Sequence, residues 1–141
     1  MSRIFWDTNL FIYWLEDQGD PARHVARLRQ RMKERGDQLC TSTLTLGEVL
    51  VKPLEKQQTD LVERYGAMLL HGPVMLIPFD RECARIYAQV RKDRSIRAPD
   101  VIQLACAGRA GCDLFITNDE RLSRKVVPGV QFIVPLNRAY L

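Results

Sequence analysis

Five short strand-like runs, separated by helix-like stretches, constrain this chain more than any other feature. The runs are Arg3 to Trp6, Gln38 to Cys40, Val74 to Ile77, Asp113 to Thr117 and Gln131 to Val134. They are short, largely apolar and show little in–out alternation, the pattern of strands buried on both faces. Strands that alternate with helices form crossover units, so the expected fold is α/β, with a mostly parallel sheet covered on both sides. At 141 residues the chain suits one domain spanning 1–141.

The intervening stretches carry their own signals. Thr8 to Glu16 reads as a helix, and its run Leu10 to Leu15 is apolar all round, so the domain core or a partner must cover it. Asp20-Pro21 reads as an N-cap followed by a first-turn proline, opening a helix that Gly36 stops. Val25, Leu28 and Met32 form its inner stripe, and Arg23, Arg27 and Arg31 form a basic one. A helix after Ser42 is expected to end near Pro53, and another to run from Glu55 to Leu70. Asp80 caps a further helix, Pro99 opens one that closes at Gly111, and a short one spans Asp119 to Lys125.

Charged residues make up 27% of the chain and the net charge is +4, which permits a polyanionic partner without requiring one. No apolar run is long enough for a membrane, and Asp7 and Glu16 interrupt any signal-peptide pattern, so a cytoplasmic protein is expected. Cys40, Cys83, Cys106 and Cys112 are scattered and form no C-x-x-C pair, which argues against zinc and against a disulfide framework.

The acids carry the functional signal. In a parallel sheet, ligands bind outside the carboxyl ends of the strands. Asp7 follows the first strand and Asp119 follows Ile116-Thr117 at the end of the fourth, while Glu48 and Asp100 sit on helices expected to flank that edge. Each has a structural explanation as well. Asp7 can cap its helix, Asp100 suits a helix first turn, and Thr45-x-x-Glu48 and Thr117-x-x-Glu120 match capping boxes. Together, however, four carboxylates repel one another unless a cation offsets them. An all-oxygen donor set points to Mg²⁺ or Mn²⁺.

Four motifs, in order, now give a likeness. Asp7-Thr8-Asn9-Leu10-Phe11-Ile12-Tyr13, the stretch Ser42 to Val49, Arg97-Ala98-Pro99-Asp100-Val101-Ile102-Gln103-Leu104-Ala105 and Phe115-Ile116-Thr117-Asn118-Asp119 resemble the PIN-domain nucleases, most of all the VapC-like toxins of toxin–antitoxin pairs. The likeness covers Arg3 to about Val134. It implies a three-layer α/β/α sandwich and a Mg²⁺- or Mn²⁺-dependent endoribonuclease whose catalytic and metal-binding quartet is Asp7, Glu48, Asp100 and Asp119. It places Thr8 or Asn9 and Thr117 as supporting polar residues and gives Asn118 no role. It further implies an RNA substrate, an antitoxin covering the active-site groove, and a homodimer.

Lys92, Arg94 and Arg97 before Asp100, and Arg121, Arg124 and Lys125 after Asp119, are candidates for RNA-backbone contacts, which give affinity without sequence choice. An antitoxin segment is expected against Phe11 to Arg31. Two other classes are open. A PIN-like module that binds RNA or protein without cutting would keep the fold. A Mg²⁺-dependent phosphotransferase would need a D-x-D nucleophile loop, and Asp7 is followed instead by Thr8-Asn9.

Overall fold

The computed structural model describes residues 1–141 and contains a five-stranded parallel sheet. Its elements are β1 (Arg3–Trp6), α1 (Thr8–Glu16), α2 (Asp20–Arg35), β2 (Gln38–Ser42), α3 (Thr43–Glu55), α4 (Thr59–Leu69), β3 (Met75–Ile77), α5 (Arg81–Val90), α6 (Ala98–Arg109), β4 (Leu114–Thr117) and β5 (Phe132–Pro135). Single 3₁₀ turns occupy Glu120–Arg124 and Leu136–Arg138. The strand order is β3-β2-β1-β4-β5 and every pairing is parallel.

Residues alternate between two cores. Ile4, Trp6, Leu39 and Ile116 point into one, which α1 to α4 and the C-terminal residues Leu136 and Ala139 complete. Phe5, Cys40 and Phe115 point into the other, which α5 and α6 cover. The fold is therefore the expected three-layer α/β/α sandwich. The order reverses at β1: the chain leaves it on one side towards β2 and returns on the other as β4. That reversal opens a crevice at the carboxyl edge between β1 and β4, the place where such sheets bind ligands.

Several local readings change. Asp20 is not the N-cap of α2. Gly19 holds that place without a side-chain bond, and Asp20 is the first helical residue, bonded to Arg23. Pro53 does not end α3, which continues to Glu55. A proline in a helix forfeits its own N–H bond, but in the last turn little helix remains to be disrupted. The true break is at Gln57, which has φ +56°, and α4 begins only at Thr59. Neither capping box forms: Ser42 caps α3 and Asp119 caps the 3₁₀ turn. All four cysteines are free and buried.

The small residues of α6 have a more specific use than packing on the sheet. A Cβ on Gly108 would lie 2.2 Å from the Pro128 carbonyl oxygen, and one on Gly129 (φ +86°) would lie 2.2 Å from the Gly108 carbonyl oxygen. The helix backbone thus touches the loop backbone ahead of β5 directly.

The apolar helix α1 is covered by the protein itself. Leu10 and Phe11 are fully buried, and Ile12, Tyr13, Trp14 and Leu15 are partly buried against the same core. This removes Phe11 and reduces Trp14 as a free hydrophobic docking surface. No helix is long and apolar enough to cross a membrane.

Candidate active site

Asp7 stands between β1 and α1 and is the N-cap of the helix. Its Oδ1 accepts from the Thr8 amide at 2.8 Å and its Oδ2 from the Thr117 hydroxyl at 2.9 Å. Thr117, at the end of β4, accepts in turn from the Asp119 amide at 3.1 Å. The two strand ends that flank the crevice are thereby tied through one hydroxyl. Burial pushes the Asp7 carboxyl up to about 6, against the lowering effect of these bonds, and the charges of Asp100 and Glu48 add the smallest contributions. Crowding of like charge is thus real but secondary to desolvation.

Glu48 projects from α3 and accepts from the Thr8 hydroxyl at 2.7 Å. Behind that bond lies a buried polar network that the motifs contained without revealing. Gln103, on α6 one turn after Asp100, donates from Nε2 to Thr8 Oγ1 at 3.0 Å and to Thr45 Oγ1 at 2.8 Å, while its Oε1 accepts from Ser42. Thr41 Oγ1 lies 2.9 Å from the Trp6 carbonyl oxygen and 2.8 Å from Thr45 Oγ1. A hydroxyl has one proton. If Thr41 gives its proton to the Trp6 carbonyl, Thr45 must donate to Thr41, and Thr8 keeps its own proton for Glu48. The network therefore links β1, β2, α3 and α6 beneath the carboxylates. The signal that could have found Gln103 is its spacing: three residues after Asp100 in a helix puts both on one face.

Asp7, Thr8, Asn9, Glu48, Asp100, Asp119, Arg97, Pro99, Gln103 and Asn118 line one cavity of about 220 Å³, in which Pro99 is the one apolar side chain. The four acids thus share a cavity, but in this arrangement no three of them are placed to hold a single ion. The reason is visible in their partners. Asp100 is turned to Arg97, with Nε at 3.3 Å, and Asp119 is held by the Arg121 guanidinium through bonds of 3.0 and 3.1 Å. Arg121 keeps the Asp119 carboxyl below the usual carboxylate range. Both arginine side chains are largely exposed, 73% and 77%, so these pairs are weakly held and exchangeable.

The other basic residues divide. Arg121, Arg124 and Lys125 line an adjoining basin of about 440 Å³ that reaches Asp100 and Asp119. Lys125 is engaged there with Asp93 at 2.7 Å. Lys92 and Arg94 are exposed and line neither cavity. Asn118, given no role by the motifs, accepts from Asn9 Nδ2 and donates to the Tyr13 hydroxyl, each at 3.1 Å.

A protein-family model described as PIN domain matches residues 4–127. A search of curated protein sequences gives no match. Among solved structures, the chain is similar to one in the VapBC2 complex of Rickettsia felis bound to a promoter DNA fragment, with a TM-score of 0.72 at 14% identity, covering 94% of this chain and 98% of that one. It is also similar to a chain of a toxin–antitoxin complex from Klebsiella pneumoniae (TM-score 0.65, 21% identity, 90% and 94% covered). A third is a chain of VapBC-5 from Mycobacterium tuberculosis, a member of the VapBC family of toxin–antitoxin systems (0.62, 20%, 96% and 99%). At these identities the likeness speaks for the fold, and with a family match over most of its length, this chain belongs to the PIN domain family.

Proposed function

We propose that this protein is a metal-dependent endoribonuclease that hydrolyses RNA phosphodiester bonds as the toxin of a toxin–antitoxin pair. The observation that carries this reading is the predominantly polar cavity at the strand reversal, which collects Asp7, Glu48, Asp100 and Asp119. Oxygen donors alone suit Mg²⁺ or Mn²⁺. Asp7 and Asp100 would hold the ion most directly, with Glu48 and Asp119 completing the set. Such an ion supplies Lewis acidity towards a water and the phosphate.

The chain's own residues do the rest. Thr117 and the Thr8 amide fix the rotamer of Asp7, and at neutral pH a carboxyl with a pKa of about 6 is mostly ionised and ready to bind a cation. Thr8, seated on Gln103, aims one Glu48 oxygen and leaves the other free to orient a nucleophile. Arg97 and Arg121 neutralise Asp100 and Asp119 in the metal-free protein, and on release they stand at the rim where substrate phosphates pass.

An antitoxin that covers the groove, and a homodimeric toxin, belong to the same reading. Support for the antitoxin comes from the structural neighbours, which are themselves toxin–antitoxin complexes. One observation favours a second reading, a PIN module that binds without cutting: two of the four acids already have internal counter-ions. The deciding experiment incubates purified protein with single-stranded RNA and Mg²⁺ or Mn²⁺. Cleavage that EDTA and Asp7→Asn both abolish supports the nuclease. Binding without cleavage at any metal concentration rejects it.

A further inference from the structure

Beside the acidic cavity lies a second, of about 510 Å³, between α1, α2 and the C-terminal tail. The two share Asn118, which bridges Asn9 in the first to Tyr13 in the second. The second cavity adds the rings of Tyr13, His24 and Tyr140 and the amides of Asn118 and Asn137 to a wall with two acids, Asp20 and Glu120. The Tyr140 ring sits 5.0 Å from that of His24, and His24 is fixed by a 2.9 Å contact of Nε2 with the Leu136 carbonyl oxygen. In the neutral ring that nitrogen carries the proton, so Nδ1 is left as an acceptor. The two acids in the wall are already engaged, Asp20 by Arg23 and Glu120 by Asn137. Arg27 is exposed in the wall and makes no ion pair.

We propose that this cavity is a nucleobase subsite. It takes one unpaired base of an RNA strand whose phosphodiester lies over the neighbouring carboxylates. The inference rests on the ribonuclease reading and adds where the enzyme gains base preference. Unpaired bases are recognised by stacking on aromatic rings or guanidinium planes and by hydrogen bonds to their edges. Tyr140 and Tyr13 supply the rings, Arg27 a plane or a phosphate contact, and the Asn137 amide, with spare donor and acceptor capacity, the edge. The volume lies in the range of small-molecule sites. Pro21 and Leu136 add apolar wall, which suits the flat face of a base.

The test uses the full chain with Tyr140→Ala and Arg27→Ala, both at exposed positions. For binding, each is combined with Asp7→Asn, and fluorescein-labelled single-stranded RNA oligonucleotides of different base composition are followed by anisotropy. Loss of one stacking partner should weaken binding roughly tenfold, and by different factors for different bases. With Asp7 intact, cleavage of a randomised single-stranded RNA pool should lose its base preference at one position beside the cut. Unchanged affinity and an unchanged cleavage pattern in both variants overturn the proposal and leave the cavity to a protein segment. An equal loss for every sequence also overturns it, since such a contact gives no base preference. If the Asp7-containing protein cuts no RNA, the ribonuclease reading falls separately, and the binding arm still decides the subsite.

Discussion

The Thr8 hydroxyl donates to Glu48 Oε1 across 2.7 Å, joining the first residue of α1 to the middle of α3. Thr8→Val keeps the shape and removes this bond together with an acceptor for Gln103. A buried group left without its partner costs about 1–3 kcal/mol, and loss of an orienting partner at a metal site costs roughly 10–100-fold in activity or metal affinity. Thermal melts and metal titration of Thr8→Val should show both. Wild-type metal affinity would mean that Glu48 needs no guide.

Gln103→Leu should be more damaging to stability than Thr8→Val, because it strips bonds from Thr8, Thr45 and Ser42 at once. Denaturant unfolding should place the loss at several kcal/mol on the order of 1–3 per orphaned group, less where hydroxyls re-pair with each other. A smaller loss than in Thr8→Val would show that the hydroxyls satisfy one another.

Asp7 makes stability depend on pH. Its carboxyl is raised to about 6 in the folded protein against its ordinary 3.8. The native state therefore binds the proton more tightly than the unfolded chain, and stability falls as pH rises from about 4 to about 6. At 1.36 kcal/mol per unit the effect is on the order of 3 kcal/mol. Asp7→Asn should flatten that slope and raise stability above pH 6, while abolishing RNA cleavage. Parallel urea titrations at pH 4, 5, 6 and 7 check the sign.

Arg121 competes with any cation for Asp119. Arg121→Ala should therefore tighten Mn²⁺ binding, read by calorimetry without substrate. Metal should also stabilise the fold, by about 2.7 kcal/mol at a hundred times its dissociation constant. Asp100→Asn should blunt that response. Its own relief of charge repulsion is small, since Arg97 already sits on Asp100. An identical metal-induced melting shift in wild type and Asp100→Asn would remove Asp100 from the ligand set.

Gly108→Ala and Gly129→Ala each place a methyl 2.2 Å from a backbone oxygen. Neither oxygen belongs to a flexible side chain, so both variants should lose about 1–3 kcal/mol or more. Gly129→Ala should lose more, because it also strains a positive φ. Near-wild-type melting of Gly108→Ala would show that the loop at Pro128 moves aside freely.

The sheet was legible because its strands are short, apolar and buried on both faces, a pattern that survives without tertiary knowledge. Val25, Leu28 and Met32 line the core as their spacing indicates. The joint between α3 and α4 was not legible. Pro53 draws attention as a breaker, but Gln57, an ordinary residue, carries the φ of +56° that turns the chain. The placement of Asp7, Glu48, Asp100 and Asp119 around one cavity followed from topology plus likeness, whereas their partners did not. Arg97 stands three residues before Asp100, a spacing that allows the pair, but the Arg121 contact with Asp119, two residues apart at a strand end, follows from no helical spacing. Spacing puts Gln103 on the face of Asp100, but its partners Thr8, Thr45 and Ser42 come from other elements and show only in the fold.

The second cavity takes only part of its wall from the stretch of chain that holds the carboxylates. Asp7, Glu48, Asp100 and Asp119 all fall within residues 4–127, where the family match lies, while Asn137 and Tyr140 stand beyond it, on the tail after β5. A change confined to the tail would therefore reshape that wall while leaving Asp7, Glu48, Asp100 and Asp119 where they are.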